Sequence, residues 1–477
     1  MSSSHAAAAL STPIPQSAIE RLSRFLEHHR ARTTPSGAFA AFEGEATALF
    51  AAAQAELVGE EMRRHDVDVP VVFIDGVAHH RRLRSPSTYL TSAGMISVER
   101  TLYSTREDGA RCEVPMDLRC GVVAGLFTPD AARIAAVAHA HLTPGEAECL
   151  FEQVGRMQPS RSTLDRYAKV LSDMWEGKRL EFEQALDRAL VVPEQAVSVA
   201  ISIDGVMAPM RDGKRSEKRE NARKAGKATR GPAGYQEVGC ATLSFFDAEG
   251  ERLSTVQMAR MPENKKSTLK SMLSATLTQA IALRPDLTLV KVADGAKDNW
   301  AWLDGSTLPK GESVLDFYHA AEHLAEAIQA VHGENSKEYR TTFDSLRHKL
   351  RHETDGVERV IRALARLAGL HPRKKSVTKE LAYFRANRHR MRYAQLAARH
   401  LTIGSGIVEA ACKTLVTQRL KRSGMRWRRP GGQAALTLRA LVHSGRFDLA
   451  WSMLSAQWTR VVEVPGNVIP WPGRVAG

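Results

Sequence analysis

Two strand-like runs end in the same dipeptide, and that pairing limits the fold more than any other feature of the chain. Val197 to Asp204 alternates, with Val197, Val199, Ile201 and Ile203 on one side and Ser198, Ala200, Ser202 and Asp204 on the other, and Gly205 follows. Leu287 to Asp294 is a second run of this kind, followed by Gly295. A carboxylate at the end of a buried strand is held in place and partly dry. Two of them side by side repel unless a cation sits between them.

The segments between the two runs predict how they meet. Residues 211–230 are polar and basic, an exposed loop or short helix. Tyr235–Phe246 and Arg252–Met258 form a hairpin around Asp247-Ala248-Glu249-Gly250, and Lys265–Leu283 has helical periodicity. Three antiparallel strands, a helix and a fourth strand follow in that order. A right-handed crossover returns the fourth strand parallel to the first and beside it, so Asp204 and Asp294 become neighbours. This is the strand order of the RNase H-like fold. The expected fold class is therefore an α/β RNase H-like core; helical periodicity over 311–400 makes an all-helical insertion in it, and a mostly helical N-terminal region precedes it.

The expected divisions are a disordered tail over 1–16, an N-terminal α+β region over 17–125 and a helical region over 126–192. The core occupies 193–310 and 401–456, the helical insertion 311–400 and a C-terminal tail 457–477. In the 17–125 region, Val69–Ile74 and Ile96–Leu102 are the β-like runs. In the 126–192 region, Thr143-Pro144-Gly145-Glu146 has a capping-box signature and Gly155 can end that helix. A second helix opens after Gln158-Pro159-Ser160, with Leu164, Tyr167, Ala168 and Leu171 on one face. The pair resembles a helix-turn-helix, with Arg161 and Arg166 as DNA contacts, although an ordinary helical hairpin has the same pattern. One continuous helix is expected from Ile407 to about Leu420, and a closing helix over 434–456.

Composition is ordinary for a water-soluble chain, with 43% apolar and 25% charged residues. No run approaches the roughly 18–20 apolar residues of a membrane helix, and the N-terminus lacks a secretory signal pattern. Five scattered cysteines point to reduced thiols and an intracellular setting. The Cys112/Cys120 spacing is wrong for a zinc ribbon. The net charge of +14 is concentrated: residues 371–430 hold sixteen Lys/Arg against Glu380 and Glu409 alone. So one-sided a block is an electrostatic footprint for phosphates.

Phosphodiester chemistry at paired aspartates generally uses two Mg²⁺ ions about 3.5–4 Å apart, and a third ligand is needed to hold both. Glu409, in the first turn of a helix opened by Gly404-Ser405-Gly406, is the candidate. A salt bridge to Lys413 or complementation of the helix dipole are its alternative roles.

The segments Ser202-Ile203-Asp204-Gly205-Val206, Val292 to Trp300, Asp316-Phe317-Tyr318-His319 and Gly404 to Glu409, continuing through Lys421-Arg422-Ser423-Gly424-Met425-Arg426-Trp427, together resemble bacterial insertion-sequence transposases of the DDE type. They are most similar to the Kra family and its Mutator-like relatives. The resemblance spans roughly residues 196–430. It implies a catalytic, metal-binding triad of Asp204, Asp294 and Glu409, a helical insertion before the glutamate, Mg²⁺ (Mn²⁺ substituting) and a cut-and-join reaction. Double-stranded DNA, as terminal inverted repeats and target, would be the partner of a bacterial, nucleoid-associated homo-oligomer.

Asp316 and His319 resemble the acid-x-x-His motif of such insertions, with His323 on the same face; they contact DNA or cap the metals, or form a structural pair. The further DNA-contact candidates are Lys214, Arg215, Lys218, Arg219, Arg223, Lys224, Lys297, Lys413, Arg419, Lys421, Arg422, Arg426, Arg428 and Arg429. Trp427 is the candidate for base stacking, ahead of Trp300 and Trp302. A structure-selective nuclease on the same fold and a non-catalytic, transposase-derived DNA-binding protein remain the rival readings.

Overall fold

The computed structural model describes residues 16–31, 38–211, 214–227, 234–334 and 336–466. The tail expected over 1–16 lies outside them except for Gln16, which opens a helix, as does the C-terminal tail from residue 467 on. Two compact units result. One runs to Trp175 and resumes at Asp448; the other is Glu176–Phe447. Among the described residues no helix is long and apolar enough to cross a membrane.

The mixed α/β chain has nine described strands: β1 Val71–Ile74, β2 Val77–Thr91, β3 Gly94–Ser104, β4 Ser198–Pro209, β5 Tyr235–Phe246, β6 Arg252–Arg260, β7 Thr288–Ala293, β8 Glu312–Leu315 and β9 Val462–Glu463. The first unit holds the antiparallel sheet β3-β2-β1-β9, so the last described strand returns to pair with β1. The long β2 escapes sequence reasoning because it is mostly exposed and basic and contains Pro86. From Leu83 to Tyr89, around Pro86, it pairs with β3 alone, where a proline costs no second ladder. The helices expected after residue 126 form. Thr143 and Glu146 make both bonds of the capping box, and Gly155 ends that helix in the left-handed conformation.

The second unit holds the sheet β6-β5-β4-β7-β8. β4, β5 and β6 are antiparallel neighbours, while β7 and β8 run parallel to β4. The fourth strand thus lies beside the first, as the crossover argument requires. Val199, Ile201, Ile203, Leu243, Val290 and Val292 are buried to 1% exposure or less in one core. Each such side chain stabilises the sheet by about 1.5–3 kcal/mol relative to an exposed one.

Three expectations are corrected. The insertion is not helical from residue 311, because Glu312–Leu315 first adds a fifth strand, too short and too directly followed by helix to show a period of its own. The helix expected from Ile407 to about Leu420 forms, but it is not α-helical throughout: Gly406–Ala411 passes through a π-helical segment, Cys412–Thr417, before Gln418–Leu420. The closing helix is two, Arg429–His443 and Phe447–Ser455, divided near Gly445 at φ +65°.

One buried carboxylate ties these pieces together. Asp316 is 0% exposed and caps the Phe317–His332 helix, accepting from the His319 amide at 2.7 Å. Its other oxygen accepts from the Ser405 amide. The Asp316 amide bonds to the carbonyl of Ala293, next to Asp294, and the Phe317 amide bonds to Ile403. The end of β7, the start of the insertion and the loop before Glu409 are therefore joined at one residue.

Asp316→Ala leaves the buried Ser405 amide and the half-buried His319 amide without their acceptor, a loss of about 1–3 kcal/mol for a buried group left unsatisfied. We expect a lower urea midpoint and faster hydrogen exchange across Ser405–Glu409. Unchanged protection at Ser405 would show that the loop is held by something else.

Candidate active site

The register of the central strands sets the site. β4 and β7 pair from Ser198 opposite Thr288 to Ser202 opposite Val292. Two residues beyond the end of that ladder, the same register brings Asp204 alongside Asp294, near enough for the charge of Asp294 to act on it. Burial and, behind it, the charge of Asp294 raise the Asp204 carboxyl above its ordinary range, against the opposing Gly205 amide and Lys266. Asp294 accepts from the Ala296 amide at 3.1 Å and from the Asn299 side chain at 3.4 Å.

Side chains crowd the glycines after the two aspartates, a ring at Gly295 and the movable end of Glu237 at Gly205. A Cβ on Gly205 would lie 2.0 Å from a Glu237 carboxylate oxygen, and one on Gly295 would lie 2.6 Å from the Tyr383 ring. Glu237 in turn pairs with Lys266 at 2.9 Å. The repeated Asp-Gly is thus a pair of acids, each followed by a backbone on which another side chain rests.

Glu409 is exposed and accepts from the Ser405 hydroxyl at 2.7 Å. Its helix packs onto the sheet through Val408 and Cys412, in a core shared with Ala208, Val238 and Cys240. Cys412, one turn past Glu409, donates to Asp204 at 3.6 Å. Contact with Cys240, burial and Asp204 itself push the Cys412 thiol far up, so it remains the protonated donor. The helix of Glu409 therefore adjoins Asp204. Among the described residues, however, the three carboxylates do not all lie within 4.8 Å of one another.

That closeness is met instead by His323, Glu326 and Glu380. His323 bonds the fully buried Glu380 at 2.6 Å and stacks on Tyr383 at 3.7 Å between ring centres. Lys379 reaches Glu380 at 2.8 Å, so an ammonium already balances this group. Burial opposes protonation of His319, but Glu322 at 2.9 Å, then Asp316 and Asp294, outweigh it and hold the imidazole above its usual range. The alternatives for the acid-x-x-His pair thus separate: Asp316 is structural, and His319 is a half-buried cation-former beside Asp294.

The expected DNA contacts divide similarly. Arg161, Arg166, Lys297 and Lys413 are exposed, as are Lys218, Arg223 and Lys224 on the Lys214–Lys224 helix; Arg219 there is half-buried. The side chains of Lys214 and Arg215 lie outside the described residues. Lys421, Arg426, Arg428 and Arg429 are exposed, and Arg422 is half-buried with a bond to the Gln418 carbonyl. Arg419 is corrected: at 1% exposure it cannot reach a phosphate, and its guanidinium lies 5.1 Å from the centre of the Trp427 ring. Trp427 is committed to packing as well, its indole N–H bonded to Leu420 and its backbone bridged to Met210. Trp300 is core, 4% exposed, and donates to the Asp294 carbonyl at 2.5 Å.

Sequence reasoning missed Lys266, Tyr383, Ser405 and Cys412. Only the last two had a signal, at i−4 and i+3 from Glu409. Lys265 and Lys266 both adopt positive φ (51° and 55°) ahead of the Ser267–Leu283 helix, which no residue type there announces. Cys112 and Cys120 join no three-ligand group among the described residues.

No protein-family profile matches the chain, and no curated protein matches it. Among solved structures it is similar to a Drosophila P element transposase strand transfer complex, at 13% identity over 70% of this chain and 84% of that one. The TM-score is 0.26, a likeness too slight to carry an argument.

The raised pKa of Asp204 makes a signed prediction. A carboxyl harder to ionise when folded favours folding while protonated, fully below its ordinary value of 3.8, and that contribution is lost as pH rises through the raised folded value. In metal-free buffer at pH 7, Asp204→Asn should melt higher than the wild type, and the gap should close toward pH 4. Equal melting temperatures at pH 7 would mean that burial and Asp294 do not burden this group.

Proposed function

We propose that the chain is a DNA transposase of the DDE type, similar to the Kra family, with an RNase H-like core carrying Asp204, Asp294 and Glu409. The observation that carries this reading is the placement of Asp204 opposite Asp294 on parallel strands, with the helix of Glu409 joined to Asp204 through Cys412. The strand order β6-β5-β4-β7-β8 supports the RNase H-like assignment.

The donor set fits hard divalent cations. It is made of carboxylate oxygens, and one of them is already burdened by its neighbour's charge. Asp204, Asp294 and Glu409 would hold Mg²⁺ or Mn²⁺, which supplies charge neutralisation at phosphate and an acidified water when bound.

The chain's own residues do the positioning. β4 and β7 fix the two aspartates, Asp316 fixes the loop of Glu409, and Ser405 orients its carboxylate. His319, held toward its charged form, offers a cation beside Asp294. In the reaction a water oxygen attacks phosphorus at the element end. The P–O bond to the 3′ oxygen breaks, and the freed 3′-OH attacks a target phosphodiester in the same manner. The substrate is double-stranded DNA, and the exposed cations neutralise its backbone.

The test uses purified protein, Mg²⁺ or Mn²⁺, and a duplex bearing the DNA that flanks its reading frame, with a target plasmid. Cleavage at the ends and joined product are expected. Asp204→Asn, Asp294→Asn and Glu409→Gln should each lower cleavage by about 10²–10³-fold or more while duplex binding persists. Full cleavage by Glu409→Gln would remove that residue from the triad. Cleavage without joining of pre-cut ends would make the protein a nuclease, and binding without any cleavage a non-catalytic DNA-binding protein.

A further inference from the structure

Two basic segments far apart in sequence line one cleft of about 1010 Å³ at the end of β4. One wall is the Lys214–Lys224 helix and the residues after it, presenting Arg223 and Lys227. The other is the turn after the Glu409 helix, presenting Lys421, Arg426 and Arg428. All five are exposed, and Glu220 is the acid among the lining residues. The second wall is stitched to the sheet: the Trp427 amide bonds the Pro209 carbonyl at 3.0 Å, and the Arg211 amide bonds the Trp427 carbonyl at 2.7 Å. Arg419 beneath the Trp427 ring backs that wall. The cations of the second wall are therefore carried on anchored backbone rather than on a free strand.

Positive groups gathered across an open cleft repel one another, and an anion threading it relieves them. A cleft of about 1010 Å³ bordered by five exposed cations is larger and more multiply charged than one small anion needs, and it suits a run of phosphates. Pro209 is five residues along β4 from Asp204, about 17 Å at the rise of a strand. The cleft is thus separate from the carboxylates yet on the same strand.

We propose that this cleft is a dedicated clamp for the sugar-phosphate backbone of duplex DNA, gripping the substrate away from the point of cutting. The assignment rests on the proposed transposase reading for the identity of the DNA, but not for the charge argument. Arg223, Lys421 and Arg426 each neutralise a phosphate, and Arg419 and Trp427 act only by holding the wall.

The test is fluorescence anisotropy of a labelled 30-bp duplex of arbitrary sequence with the full chain, over a series of KCl concentrations. Arg223→Ala/Lys421→Ala/Arg426→Ala should bind more weakly, with a log–log salt slope shallower by about 0.9 for each phosphate no longer neutralised, about 2.7 in all. The charge-keeping Arg223→Lys/Lys421→Arg/Arg426→Lys set should retain the slope, which separates the effect of charge from that of misfolding. Arg362→Ala/Arg366→Ala, exposed on the Gly356–Leu370 helix, should also leave it unchanged. An unaltered slope in the triple alanine variant overturns the clamp. So does a weakening confined to a 30-nucleotide single strand, or an equal weakening in the Arg362/Arg366 control. Because binding is read without metal, a protein that never cuts DNA would refute the transposase reading and leave this measurement intact.

Discussion

The candidate site depends on one buried carboxylate. Asp204 and Asp294 meet by strand register alone, but Glu409 is separated from them in sequence by the whole insertion. Asp316 closes that gap by bonding the amides of His319 and Ser405 while its own amide bonds Ala293. A carboxylate satisfied by two backbone donors tolerates complete burial, as an unpaired one would not. The insertion can then fold as its own helices, because its entry and exit are held at the same point.

A second constraint comes from crowding. Asp204 and Asp294 sit where neighbouring side chains rest directly on the backbone that follows, Glu237 on Gly205 and Tyr383 on Gly295. Each aspartate is therefore followed by a crowded backbone, while its carboxylate is held locally, Asp204 by the Gly205 amide and Cys412, Asp294 by the Ala296 amide and Asn299. Burial first, and the charge of Asp294 behind it, raise Asp204, and both are relieved by a cation there. The π-helical segment Cys412–Thr417 begins at the residue that contacts Asp204, immediately after the Glu409 turn. Such segments are frequent at functional sites.

The parts of the fold that were legible from sequence have a strong local period or a fixed chemistry. The alternation of β4, the capping box at Thr143 and the hairpin at Asp247 needed no tertiary information. What was not legible depends on distant partners. β8 is four residues whose strand character comes from pairing with β7. β2 carries charges on both faces, so its alternation is hidden. Arg419 and Trp427 belong to a basic run that looks uniformly exposed, yet one is buried and the other packs over it, because the backbone there is pinned to Met210. Asp316 was singled out for a motif resemblance, while its part in holding Ser405 required the fold.

The central claim, that Asp204, Asp294 and Glu409 hold a divalent cation together, is tested most directly by locating the cation on the chain. Fe²⁺ in place of Mg²⁺, with ascorbate and peroxide, breaks the backbone close to where the metal sits. The account predicts breaks around Asp204, Asp294 and Glu409, all suppressed by excess Mg²⁺. Breaks confined to the neighbourhood of His323, Glu326 and Glu380 would contradict it.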